Sequence, residues 1–271
     1  MKIGALVPVR LSSQRMPGKA LMPIMGRPAI LHLLDRLFAS RYLRPRDVIL
    51  CTTNDKSDDP LTSVAESVGA RVFRGSCDNI IDRFNSAVAE FEFDALIQAD
   101  GDDPCSDTMY MDLCMDRLLA EPELDIVLTE GLPLGLGSKA IRASAVRTVW
   151  RNHLTHQNDT GFIYYFTRTG LCRAASIKPL RPEHVHETAR LTLDYPEDLA
   201  FFEALFMELY KESAVFGIDQ IVSLLRRRPD LLGINSMVNE EYWKRTHQLA
   251  QLEYRMDGKV LKVGDLKVGD Q

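Results

Sequence analysis

A ten-residue run near the start of the chain carries an unusual density of groups suited to phosphate: Arg10-Leu11-Ser12-Ser13-Gln14-Arg15-Met16-Pro17-Gly18-Lys19. Planar guanidinium forks match phosphate oxygens, Lys19 adds a compact positive charge, and Ser12, Ser13 and the Gly18 backbone offer further donors. A triphosphate is the natural guest of such a cradle. The run is not a Walker loop, because Ser13 stands where the first glycine is required and Ala20 follows Gly18-Lys19. A second set of groups is acidic: Asp100, Asp102 and Asp103 follow the apolar Ala95–Ala99, and Asp194 opens Asp-Tyr-Pro-Glu-Asp-Leu. Carboxylate oxygens of this type suit Mg²⁺, which takes one or two of them and completes its shell with water and substrate phosphates. Asp194 equally fits a helix N-cap ahead of Pro196, and Asp198 a first-turn acid facing the helix dipole. Clustered carboxylates repel one another, so a neutral replacement at Asp102 is expected to melt no lower than the parent. Cradle and acids together suffice for in-line displacement at the α-phosphorus of a nucleoside triphosphate. Arg10, Arg15 and Lys19 would then offset charge on the β- and γ-phosphates.

The elements that must position these groups follow from periodicity. Short β-branched strands alternate with capped helices through the first half, the rhythm of a parallel α/β sheet. Ile3–Val9 is the first strand. A helix from about Pro28 turns Ile30, Leu33, Leu34, Leu37 and Phe38 to one face, and Val48–Thr53 is the second strand. The next helix has Asp59 as N-cap, Pro60 inside its start and Gly69 past its end, followed by a strand over Arg71–Arg74. A helix from about Asn79 leads to Ala95–Ala99, a strand apolar but for Gln98 and suited to the sheet centre. In open parallel sheets ligands sit beyond the carboxyl ends of the strands, so the loop after the first strand and the Asp100–Asp103 loop should share one crevice. Residues 131–193 change character and predict an antiparallel insertion, with strands at Phe162–Phe166 and Arg190–Leu193, serving as a dimer arm or acceptor lid. Helices resume from Pro196, Asp219 and Asn239. The repeated Lys-Val-Gly-Asp of the tail (Lys262–Asp265, Lys267–Asp270) is expected to fray.

Composition narrows the partners. A net charge of −5 over 271 residues, with no concentrated basic face, argues against a nucleic-acid binder. Five cysteines without a CxxC pair fit free thiols in a reducing compartment, and the apolar start is too short for a signal peptide or membrane span. A cytoplasmic protein is expected. His153 with His156, and His184 with His186, lack a third metal partner and are taken as structural.

The run Arg10-x-x-Ser13-x-Arg15-x-Pro17-Gly18-Lys19-x-Leu21, followed by Gly26-x-Pro28, resembles the signature of the sugar-activating cytidylyltransferases, typified by the 3-deoxy-manno-octulosonate enzymes. Thr52-Thr53, Asp58-Asp59-Pro60-Leu61, Val72-Phe73-Arg74-Gly75-Ser76 and Asp82-Arg83-Phe84 resemble the spore-coat polysaccharide branch of that family, in order, from residue 1 to about 200. The resemblance implies a Rossmann-like, mostly parallel sheet of the nucleotide-diphospho-sugar transferase (GT-A-like) type. A nucleotidyltransferase domain would span 1–235, with 131–193 inserted and a C-terminal helix and tail over 236–271. It implies CTP as donor, a small-molecule acceptor, Mg²⁺ as cofactor and a homodimer. Arg10, Lys19, Asp102 and Asp194 would be catalytic, with Asp102, Asp194 and Asp100 on the metal. Ser12, Ser13, Arg15, Gly18, Arg74, Asp82, Gly137 and Lys139 would contact substrate. Relatives of the spore-coat branch tend to place an acid after a Gly-Leu-Gly-type loop, whereas here Leu134-Gly135-Leu136-Gly137-Ser138 leads to Lys139. That reversal of charge predicts an anionic acceptor: a phosphate, a phosphonate or a carboxylate. The alternative is a metal-dependent glycosyltransferase, because Asp100-Gly101-Asp102 is also an Asp-x-Asp motif.

Overall fold

The computed structural model describes residues 1–212 and 214–263. Its first half runs β1 (Ile3–Pro8), a short ribbon of β2 (Pro23–Ile24) and β3 (Arg27–Pro28), α1 (Ala29–Phe38), β4 (Val48–Thr53), α2 (Asp59–Ser67), β5 (Arg71–Gly75), α3 (Ile80–Phe91), β6 (Ala95–Gln98) and α4 (Thr108–Ala120). There follow β7 (Ile126–Thr129), β8 (Lys139–Arg142), α5 (Ala143–Asn152), α6 (Tyr164–Thr167), β9 (Ala174–Ile177), α7 (Pro196–Leu209), α8 (Ile218–Arg227), α9 (Asn239–Leu249) and the hairpin β10 (Glu253–Met256) with β11 (Lys259–Lys262). Seven strands form one sheet in the order β5-β4-β1-β6-β8-β7-β9. Only β8 runs antiparallel to its neighbours; the remaining pairs are parallel. Among the described residues no helix is long and apolar enough to cross a membrane.

The central strands are apolar on consecutive positions because helices cover both faces. Val48 and Leu50 of β4 pack with α1, α2 and α4 on one side, while Ile49 and Cys51 pack with α3 and α5 on the other. The chain winds from β1 outward through β4 to β5, then returns to place β6 on the opposite side of β1. That reversal opens a crevice at the carboxyl ends of β1 and β6, which are in register through Ala5 with Ile97 and Leu6 with Gln98. Gly101 lets the two loops approach: a Cβ there would lie 2.7 Å from the Pro8 carbonyl oxygen and 2.7 Å from Val9 Cβ.

Several expectations from sequence need correction. Within residues 131–193 the antiparallel element is β8, which lies in the main sheet between β6 and β7; the other two expected strands are absent. Phe162–Phe166 is a turn and the start of α6, with its aromatic rings in the core against Phe84. A short apolar run looks alike as a strand or as a buried helical segment, and the packing decides. Arg190–Leu193 is not a strand; Arg190 makes one isolated bridge, to Leu134. Helix α2 begins at Asp59 with Asp58, not Asp59, at the cap position. The buried Asp58 carboxylate instead accepts from Leu11 N at 2.7 Å and Thr53 N at 3.3 Å, fixing the first loop to β4. The repeated tail motif lies outside the described residues beyond Val263.

Candidate active site

The loop after β1 and the loop after β6 meet in a cleft of about 960 Å³, which Arg10, Ser12, Ser13, Arg15, Lys19 and Asp102 all border. Lys19 sits at its centre. Its ammonium donates to Asp102 Oδ2 at 2.6 Å and to Asp194 Oδ1 at 2.8 Å, joining three segments far apart in the chain. The Asp194 carboxylate also receives Arg15 on Oδ1 and Arg190 on Oδ2, the latter at 3.2 Å. Asp194 is therefore a buried ion-pair hub and not the N-cap of α7, a position that Tyr195 occupies. Asp198 is structural, accepting from Arg190 Nε at 2.9 Å and from the backbone N–H groups of Asp194 and Tyr195.

Electrostatics follow from this geometry. Burial works against the Lys19 ammonium, but Asp102 and Asp194 outweigh it and raise its pKa above the ordinary lysine value. Burial likewise opposes the Asp102 carboxylate, and Lys19 with Arg15 overcomes it, holding the pKa below the usual range. Asp103, one residue on, feels the Lys139 charge, but too weakly to offset what opposes its ionisation. Burial first, and then the charges of Asp102 and Asp100, push its pKa well above that of an ordinary aspartate.

A second ion pair lies beside the first. Lys139 donates to Asp100 Oδ2 at 2.7 Å, while Gln98 Nε2 donates to Asp100 Oδ1 at 2.8 Å. Gln98 and Lys139 are register partners across β6 and β8, so this cluster is built on strands. Among the described residues no three acidic, histidine or cysteine side chains converge as a metal cage. Two carboxylates, Asp102 and Asp194, do converge, with a cation already between them. Asp100 and Asp102 have different hydrogen-bond partners, Lys139 and Lys19, although both border the one cleft.

The remaining residues expected at the site separate into two groups. Gly137 and Lys139 border the cleft. Gly18 shapes the loop, with φ 74° and its N–H donating to Leu11 O at 2.8 Å. Arg74 and Asp82 do not reach the cleft. Arg74 donates to Thr53 O at 2.9 Å and Asp55 O at 2.6 Å, tying β5 to the start of α2. Asp82 accepts from Trp150 Nε1 at 3.1 Å, on the outer side of α3. Its neighbour Arg83 is the residue that faces the cleft, 2% exposed, with only the Cys51 carbonyl as acceptor at 3.3 Å and Nε unpartnered. A buried guanidinium without a carboxylate is costly unless an anion or carbonyl completes it. A signal for Arg83 was present in the sequence, because it falls on the same helical stripe as Ile80, Phe84 and Ala87. Among the histidines, His184 bonds Tyr110 and Asp219, and His153 bonds Asn79.

With fold and site in view, comparison with known proteins defines the class. A family described as cytidylyltransferase matches residues 4–222, and the chain belongs to that family of nucleotidyltransferases. It is 29% identical over 252 residues to an uncharacterised protein of Methanocaldococcus jannaschii, covering 92% of this chain and 100% of that one. It is 27% identical over 237 residues to the spore coat polysaccharide biosynthesis protein SpsF of Bacillus subtilis, covering 83% of this chain and 94% of that one. A solved cytidylyltransferase from Leptospira borgpetersenii shares the fold, with TM-score 0.77 at 21% identity over 86% of this chain and 97% of that one.

Proposed function

We propose that the protein transfers CMP from CTP to a small anionic acceptor, with Mg²⁺ as cofactor and pyrophosphate as the second product. The observation that carries this reading is the convergence of the Arg10–Lys19 loop with Asp102 and Asp194 on one cleft. An acceptor oxygen attacks the α-phosphorus of CTP, the bond from that phosphorus to the bridging oxygen breaks, and pyrophosphate departs. No covalent enzyme intermediate is required.

The donor set fits Mg²⁺: two hard carboxylate oxygens suffice when phosphates and water fill the other positions, and the convergence of both acids on the Lys19 ammonium supports a place of negative potential there. Asp102 and Asp194 would hold the ion, which supplies positive charge at the α-phosphoryl group when bound. The chain's own residues do the rest. Arg10, Arg15 and Lys19 hold the β- and γ-phosphates and offset charge on the leaving pyrophosphate, with Ser12 and Ser13 donating beside them. In the nucleotide-free protein Arg10 faces Asp159, Arg15 faces Asp194 and Lys19 faces both acids. Binding a triphosphate therefore exchanges carboxylate partners for phosphate ones, and arrival of a divalent ion with the nucleotide releases Lys19 for that exchange. Burial first, and Arg10 after it, lower the Arg83 pKa from the ordinary arginine value, and its unpartnered Nε is a donor that an anion or carbonyl of the nucleotide would complete.

Incubating the protein with Mg²⁺, each of CTP, UTP, ATP and GTP, and a panel of cyclic and open-chain acids, phosphates, phosphonates and neutral polyols, while measuring pyrophosphate, tests the reading. Release is expected with CTP and an anionic panel member. Faster release with another nucleotide, or none with any pair, overturns it.

A further inference from the structure

Helix α9 lies beyond residues 4–222, the span of the family match, and none of its residues is fully buried. An 11-residue helix this polar gains little from its own propensity, so its neighbours must hold it in place. Ahead of it, Asn235 Nδ2 donates to Asp198 Oδ1 at 2.9 Å and to Arg190 O at 3.1 Å. Behind it, Ala250 and Leu252 enter the core with Phe162 and Tyr165.

Between these anchors, Tyr242, Arg245 and Leu249 follow one another at the spacing of a helix face, and all three border the cleft. Their contacts place α9 over the loop after β1. The Tyr242 ring lies 4.3 Å from the Arg190 guanidinium and 5.6 Å from that of Arg15. Its hydroxyl feels the acid pair as well: desolvation first, and then the charges of Asp194 and Asp102, push its pKa well above that of an ordinary tyrosine. One turn on, Arg245 donates to Gln14 Oε1 at 2.6 Å, within the run from Arg10 to Lys19.

Charge sets Arg245 apart from the cations of that loop. Arg10 is paired with Asp159, Arg15 with Asp194, and Lys19 with both Asp102 and Asp194. Each must give up a carboxylate to take a phosphate, and the exchange offsets much of the attraction. Arg245 is half-buried, with a neutral amide oxygen as its partner and, among the described residues, no carboxylate within salt-bridge distance. Taking a phosphate there costs one hydrogen bond to a neutral group and gains a charge-assisted one, which is roughly twice as strong.

We infer that Arg245 is a phosphate-binding residue supplied by α9: its guanidinium exchanges Gln14 Oε1 for an oxygen of the outer phosphates, so that the helix clasps a triphosphate and favours it over a nucleoside monophosphate. This inference rests on the CMP-transfer reading, which seats the triphosphate on the loop after β1. It adds a fourth cation, from outside the span of the family match, to the three that the loop itself carries. A product that bears CMP alone has no outer phosphate for Arg245 to hold, so the clasp acts on the substrate and on pyrophosphate.

Titration calorimetry in Mg²⁺ of wild type, Arg245→Gln and Arg245→Lys, each with CTP, inorganic triphosphate and CMP, tests the assignment. The glutamine variant keeps an amide N–H for Gln14 and removes the charge; the lysine variant keeps the charge. Arg245→Gln is expected to weaken CTP and inorganic triphosphate about tenfold or more and to leave CMP within about twofold, with most of the loss recovered in Arg245→Lys. Unchanged affinity for CTP and inorganic triphosphate in Arg245→Gln overturns the inference. Equal weakening of all three ligands does so too, because it would mean that Arg245 only holds α9 in place. A wild type that binds inorganic triphosphate with the expected loss in Arg245→Gln, yet prefers another nucleotide to CTP, sinks the cytidine reading and supports the role of Arg245. A wild type that binds none of the three ligands removes both.

Discussion

Two lysine–aspartate constellations sit side by side at the carboxyl end of the sheet, and they are built differently. Lys19 reaches Asp102 and Asp194 from a loop, bridging sequence separations of 83 and 175 residues. Lys139 reaches Asp100 from a strand, across a register pair with Gln98. Under the proposed reaction the loop-borne cation would leave its acids when phosphates arrive, since only the loop after β1 must adjust. The strand-borne cation is held by the β6–β8 ladder and serves to keep Asp100 neutralised. The same two residue types thus give an exchangeable contact in one place and a fixed one in the other, and substitution at each should separate these roles.

Asp102→Asn gives the largest expected effect on the exchangeable side. It preserves size and hydrogen bonding while removing half of the acidic pair, and turnover should fall about a thousandfold or more, as for loss of a principal electrostatic stabiliser. Pyrophosphate release at saturating CTP measures it, and retention of activity would exclude Asp102 from the centre. The melting point also discriminates. An acidic cluster taken by itself predicts relief of repulsion and no loss of stability, but the Lys19 ammonium at 2.6 Å reverses the sign. The variant should melt slightly below wild type.

Lys19→Met should lower kcat/KM for CTP at least about tenfold, a loss of 1.4 kcal/mol or more in transition-state stabilisation. Its more telling consequence concerns the nucleotide-free protein. With the ammonium gone, Asp102 and Asp194 lose the cation between them, so Mn²⁺ binding without CTP, followed by paramagnetic resonance, should be tighter than in wild type. Binding that is equal or weaker would show that Lys19 does not compete for the place of the divalent ion.

On the fixed side, Lys139→Met should act on stability. It leaves Asp100 in a largely buried position without its cation, which costs on the order of 2 kcal/mol and roughly 4 °C or more in Tm. The acceptor KM should move by less than about twofold. A large change in acceptor KM with Tm intact would restore Lys139 to the acceptor-reading role that its position after Gly137 implied.

What was legible in the sequence divides along the same line. The cradle was legible because Arg10, Arg15 and Lys19 are near neighbours in the chain, and the strands because β1, β4 and β6 each hold a run of consecutive apolar residues. The pairing of Lys19 with Asp102 and Asp194 was not, since long-range ion pairs leave no local pattern. Lys139 showed its charge but hid its partner, Asp100. Asp82 stood out as an acid beside Arg83, yet the helical stripe assigns the inward position to the arginine. The C-terminal segment was least legible. Helix α9 buries no residue fully, and its face meets a cleft where periodicity looks for a core.

The smallest expected effect comes from Asp103, and it contrasts two adjacent aspartates by the sign of their response to pH. Asp102 has a folded-state pKa below its unfolded value, because Lys19 and Arg15 overcome burial. Its contribution to stability is present above the unfolded carboxylate pKa and is lost as pH falls through the lower folded value. Asp103 is the reverse: burial, then Asp102 and Asp100, raise its folded pKa well above the unfolded one. The folded state binds the proton more tightly, so stability falls as pH rises from the unfolded pKa toward the folded one, and the penalty persists above it. Asp103→Asn removes that penalty while keeping an oxygen able to accept from the Thr192 hydroxyl. Melts of the nucleotide-free proteins near pH 4 and pH 8 should therefore show the variant gaining on wild type as pH rises, by a few degrees at most. For Asp102→Asn the deficit relative to wild type should instead grow as pH rises from acid. Parallel curves for the two variants would mean that Asp102 and Asp103 share one environment, and that Lys19 does not distinguish them.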